Sequence, residues 1–99
     1  MTGSQLIHPD GHKVPIRNQS WQVLAMLAHF EGQVVSRRVF KECVWQGVVV
    51  TNDSLVQCIA EIRKAIGDER RCLIRTVPRR GYLLTAGALE VANLKIKAD

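Results

Sequence analysis

TNDSLVQCIAEIRKAIG, residues 51–67, reads as one amphipathic helix. Leu55, Ile59, Ile62 and Ile66 recur at steps of four, three and four, which places them on one apolar stripe. Cys58 and Ala65 widen that stripe. Thr51 or Asn52 can cap the start, Asp53 suits the positive N-terminal end, and Gly67 fits just past the last turn. The opposite face carries Ser54, Gln57, Glu61 and Lys64, with Arg63 beside them. Short hydrogen-bonding side chains come first and cations last, an order able to read base edges and then touch phosphates. The same pattern also fits an ordinary helix with a solvated polar face, and the residues that follow change the balance.

Residues 70–82 read RRCLIRTVPRRGY. Leu73, Ile74 and Val77 favour strands, and Pro78 to Gly81 supply turn residues. The expected structure is a hairpin with Arg79 and Arg80 at its tip. A helix with a polar outer face followed by a basic hairpin is the core of a winged helix-turn-helix. Charge follows the same segment. From Arg63 to Arg80 there are seven basic residues against two acidic ones, so this stretch carries +5, the net charge of the whole chain. A polyanion responds to such a patch more than to the total.

Composition sets the outer bounds. Ninety-nine residues make one domain with a modest core, and 46% hydrophobic with 23% charged residues describes an ordered globular chain. No apolar run approaches the roughly 20 residues of a membrane span. The start, MTGSQLIHPDG, lacks the basic and apolar regions of a signal peptide, so a cytoplasmic protein is expected. Cys43, Cys58 and Cys72 form no CxxC pair, and an odd count argues against a disulfide framework. Cys43 and Cys58 are expected to face the core. His8 and His12 flank a Pro-Asp-Gly turn without an evident third ligand, so no metal and no cofactor are expected. A Gly-rich phosphate loop, a nucleophile elbow and an HExxH are all missing from the sequence, which argues against an enzyme.

Residues 5–16, QLIHPDGHKVPI, suggest a short N-terminal β-hairpin. A core helix is expected from about Asn18 to Phe30, with Trp21, Leu24, Leu27 and Phe30 repeating at steps of three. Ser36 is a good N-cap for a helix from Arg37 to about Trp45, buried through Val39, Phe40, Cys43 and Val44. Arg37 and Arg38 in its first turn oppose the helix dipole, a cost offset if they meet phosphates. The intervening GVVVTN places Val48, Val49 and Val50 in a loop, where they either fold back on the core or meet a partner. Residues 85–99 are expected to be a tail or linker beyond a domain at 1–84.

The segments VVSRRVFKECVW, NDSLVQCIAEIRKAIGD and IRTVPRRGYLL resemble the winged-helix DNA-binding domain of OmpR/PhoB-type bacterial transcription regulators, and are closest to its ToxR/CadC-like branch. The resemblance covers about residues 6–84. It implies an α+β winged helix-turn-helix with three helices and a C-terminal β-hairpin wing. A four-stranded N-terminal sheet is usual in the family, but only its last two strands have room here. The resemblance places helix 52–66 in the major groove of double-stranded DNA and wing 74–82 in the minor groove. The implied contacts are Arg37, Arg38, Asn52, Ser54, Gln57, Glu61, Arg63, Lys64, Arg75, Thr76, Arg79 and Arg80. It further implies a possible contact of the 46–51 loop with RNA polymerase and pairing of copies on DNA. Two departures stand out. Glu61 replaces a base-reading Arg, leaving acceptance from a cytosine amino group or holding Arg63 or Lys64 in place as its uses. Arg17 stands where a Thr or Ser helix cap is usual, with Asn18 as the substitute cap. The expected function is sequence-specific DNA binding. The alternative is a protein-interaction module that kept the fold and lost DNA binding.

Overall fold

The computed structural model describes residues 4–7, 16–46, 52–87 and 95–98. Its elements in order are β1 (Ser4–Ile7), α1 (Asn18–His29), β2 (Val35–Ser36), α2 (Arg37–Val44), α3 (Asn52–Ile66), β3 (Ile74–Val77), β4 (Gly81–Leu84) and β5 (Lys95–Ala98). Three helices pack on one antiparallel sheet of order β2-β4-β3. Val23, Leu24 and Leu27 of α1 meet Phe40 of α2, Leu55, Ile59 and Ile62 of α3, and Ile74, Tyr82 and Leu84 of the sheet. Each fully buried aliphatic or aromatic side chain contributes roughly 1.5–3 kcal/mol, so this cluster is the main source of stability.

The ends of α3 follow from local chemistry. Gly67 takes φ +74, a left-handed conformation that glycine adopts without a Cβ penalty. Its N–H donates to the Lys64 carbonyl at 3.3 Å, and Asp68 N–H donates to the Arg63 carbonyl at 2.8 Å. That pair of bonds is a Schellman motif, and it stops the helix. At α2, Ser36 Oγ accepts from Val39 N–H at 3.2 Å, as an N-cap should.

The hairpin sets Ile74 opposite Leu84 and Thr76 opposite Tyr82. On its other side β4 pairs with β2, Val35 opposite Tyr82 and Ser36 opposite Gly81. The residue just before α2 therefore belongs to the sheet, so the start of α2 is fixed to the wing.

Of four expectations, the first is described only in part and the other three are corrected. The first arm of the expected 5–16 hairpin is a strand, and its described partner is β5, with Ser4 opposite Ala98 and Ile7 opposite Lys95. Ile16 is outside any strand, and residues 8–15, with His8 and His12, lie outside the described residues. Part of the expected tail thus forms β5 and pairs with the other end of the chain. Second, Asn18 does not cap α1: the N-cap is Arg17, with no side-chain cap bond. Third, Cys43 is exposed and Val39 is 37% exposed. The inward face of α2 is rotated toward Phe40 and Val44, which puts 39 and 43 on the outer flank. Fourth, Phe30 lies past the end of α1 and is 37% exposed. Val48, Val49 and Val50 lie outside the described residues.

Candidate nucleic-acid interface

The burial of Leu55, Cys58, Ile59, Ile62 and Ile66 fixes which way α3 faces. With its apolar side on the core, the helix turns Asp53, Val56, Gln57, Ala60 and Lys64 to solvent. Residues spaced by three and four lie along one line on a helix, so these five make a continuous outer stripe. Ser54 is at its flank, half-buried. Asn52 opens the helix.

Glu61 does not join that stripe. Its carboxylate accepts from Ser20 Oγ and from Arg17 Nε, the latter at 2.9 Å. Burial pushes the Glu61 carboxyl up, but the hydrogen bonds from Ser20 and Arg17, with Arg17's charge, outweigh burial and hold it below its ordinary range. The same bond and charge raise Arg17. Ser20 itself is fully buried. Glu61 is therefore a brace between α3 and α1, and the expectation that it faces bases is corrected.

Arg63 is corrected in the same way. Its Nη2 donates to the Ile74 carbonyl at 2.7 Å and to Thr76 Oγ1 at 3.1 Å. Its Nε lies 4.0 Å from Asp68 Oδ2. Partial burial lowers its pKa, as does the nearby charge of Arg71. Arg63 thus joins α3 to β3 instead of standing free for a phosphate, and it occupies the Thr76 hydroxyl. Asp68, which sequence reading did not single out, completes the joint. It is 4% exposed and accepts from the N–H groups of Cys72 and Leu73 through Oδ1, at 2.8 and 3.1 Å, and of Ile74 through Oδ2, at 2.9 Å. An acidic residue directly after the helix-ending glycine was the available signal. Arg17 and Ser20 left no such local trace.

The free cations lie elsewhere. Arg75, Arg79 and Arg80 are exposed along the wing. Arg80 N–H donates to the Val77 carbonyl at 3.0 Å, closing a turn with Pro78 and Arg79 at its centre. Arg79 has φ +64, a conformation that side chains other than Gly, Asn and Asp seldom take. On α2, the Arg37 guanidinium lies 5.7 Å from the Tyr82 ring centroid, a cation–π contact with β4. Arg38 pairs with Glu42 at 3.0 Å, but both are so exposed that the pair is easily exchanged. Among the described residues, no group of three or more His, Cys, Asp or Glu could hold a metal ion.

A short helix, a second helix with a polar outer stripe and a basic hairpin rigidly attached to it define a winged helix-turn-helix. The chain matches the family described as "Transcriptional regulatory protein, C terminal" over residues 11–84. It belongs to that family, the OmpR/PhoB-type DNA-binding domains of transcription regulators, which is not an enzyme family. It is 33% identical over 81 residues to the transcriptional activator CadC of Escherichia coli, a match covering 79% of this chain and 16% of that protein. The chain therefore spans about a sixth of that relative's length. The solved DNA-binding domain of E. coli CadC superposes with TM-score 0.67 at 27% identity, covering 86% of this chain and 92% of that one. The DNA-binding domain of Klebsiella pneumoniae RstA, solved in complex with the RstA box, gives TM-score 0.64 at 26% identity, covering 76% and 77%.

Proposed function

We propose that this chain binds double-stranded DNA sequence-specifically, as the DNA-binding part of a bacterial transcription regulator working in the cytoplasm. The outer stripe of α3 carries this reading, because Gln57 and Lys64 stand on it, exposed, on the element that the basic wing is tied to. In the proposed complex α3 enters the major groove, with Gln57 suited to an adenine edge. Arg79 and Arg80 reach the adjacent minor groove, where narrow A·T-rich tracts concentrate negative potential. Arg37, Arg38, Lys64 and Arg75 meet phosphates. Two copies pair on tandem sites, and the 46–51 loop offers a contact to RNA polymerase, both by analogy with the family. The family match over residues 11–84 supports that part of the expected 1–84 domain as the DNA-binding unit.

The test is fluorescence anisotropy with a random-sequence duplex over a salt series. Six cations, four on phosphates and two in the minor groove, neutralise about six phosphate charges and give a log–log slope of about −5. Micromolar affinity with that slope supports the reading. Negligible binding at low salt sinks it and leaves the protein-interaction module as the better account.

A further inference from the structure

Val56 is 49% exposed, the most exposed large hydrophobic side chain among the described residues, and it lies on the outer stripe of α3 beside Gln57. Ala60 follows one turn later, also exposed, between Val56 and Lys64. An apolar β-branched residue suits neither solvent nor a helix surface, since it loses side-chain freedom there and buries nothing. The surroundings are polar and mostly cationic: Gln57 and Lys64 share the stripe, Asp53 at the helix start is its one acidic member, and Arg63 ties the helix to a wing that carries Arg75, Arg79 and Arg80. An ordinary protein partner for a lone valine and alanine is poorly matched by that charge, whereas a polyanion fits it. The major groove of DNA presents one apolar group, the 5-methyl of thymine.

Resting on the DNA-binding reading above, we propose that Val56, with Ala60 behind it, is a specificity-determining surface that packs on thymine 5-methyl groups. Gln57 on the same turn faces an adjacent adenine. The small Ala60 side chain lets the middle of α3 approach the base edges closely, so the methyl contact forms without lifting Gln57 away. The cognate site therefore contains A·T pairs beneath the centre of α3, in either strand order, and the protein distinguishes thymine from uracil there. The predicted readers are Val56, Gln57 and Ala60, in place of the sequence-based set Ser54, Gln57 and Glu61.

The experiment is selection of duplexes from a random pool by the full chain, followed by replacement of each thymine in the selected site by deoxyuridine. That replacement removes one methyl and leaves every hydrogen-bonding group. The wild type should lose about fourfold in affinity at one or two thymines, the equivalent of one buried methyl-sized group. Val56→Ala should bind the thymine site about that much more weakly and lose most of its sensitivity to deoxyuridine. Val56→Ile should keep the sensitivity. A wild type insensitive at every thymine overturns the proposal, as does Val56→Ala with its sensitivity intact, while salt-dependent DNA binding itself survives both results. Absence of binding to any duplex sinks the DNA reading and the thymine contact together.

Discussion

The two ends of the wing hairpin use their charges in opposite ways. At its base, the Asp68 carboxylate gathers three backbone N–H groups and Arg63 spans from α3 to the Ile74 carbonyl. At its tip, Arg79 and Arg80 are exposed, and Arg79 holds an unfavourable backbone conformation. Burial decides the difference. A charge in the low-dielectric base must be fully satisfied or it destabilises the fold, while a charge at the tip is solvated and contributes little to stability. The base is scaffold, and the tip is available for a ligand.

The largest effect should come from Asp68→Ala, which strands three amides and a half-buried guanidinium. We expect a loss of about 3–5 kcal/mol in urea unfolding. A loss under about 1 kcal/mol, within the range of an ordinary single hydrogen bond, would remove Asp68 from the scaffold. Arg63→Ala should follow at about 1.5–3 kcal/mol, with the salt slope of DNA binding unchanged. A slope shallower by about one would return Arg63 to the phosphates. At the tip, Arg79→Ala/Arg80→Ala should leave stability within about 0.5 kcal/mol and make the slope shallower by about two.

A subtler contrast concerns acid. Glu61 is held below its ordinary range, so its brace contributes fully at neutral pH and is lost as pH falls below the ordinary glutamate range and through the lowered folded value. Glu61→Gln should flatten the acid limb of a thermal-melting profile, and an unchanged profile would mean that the brace does not couple to folding. Opposite in sign to the scaffold losses is Arg79→Gly, which relieves the positive φ and should raise stability by about 0.5–1 kcal/mol while weakening DNA binding. Calorimetry beside anisotropy measures both, and a drop in stability would show that the arginine side chain supports the turn.

What the sequence disclosed was local. The periodicity of Leu55, Ile59, Ile62 and Ile66, with Gly67 behind them, locates α3 within the 51–67 stretch, and the structure sets its limits at Asn52–Ile66. The turn residues Pro78–Gly81 locate the wing, and Ser36 marks its own cap. What escaped was long-range. The Arg17–Glu61 bond joins positions 44 apart, and β1 pairs with a strand near the other end of the chain, so neither leaves a periodic trace. Cys43 was misplaced because eight residues of α2 contain too few apolar positions to fix which way the helix is rotated. Glu61 and Arg63 lie near the polar edge of α3, where periodicity separates core from solvent but does not tell a solvated charge from one turned toward a neighbouring element.

Gly81 bears on how this scaffold can be redesigned. A Cβ there would lie 2.0 Å from the Val35 carbonyl oxygen, and its φ of +148 is itself closed to other residues. Positions 78–80 extend into open solvent one residue earlier. A library aimed at altered minor-groove preference can therefore diversify Pro78, Arg79 and Arg80 while holding Gly81 constant. Lengthening the loop before Gly81 should be tolerated, whereas any substitution at 81 would pry β4 from β2 and lose clones to misfolding before any selection for DNA began.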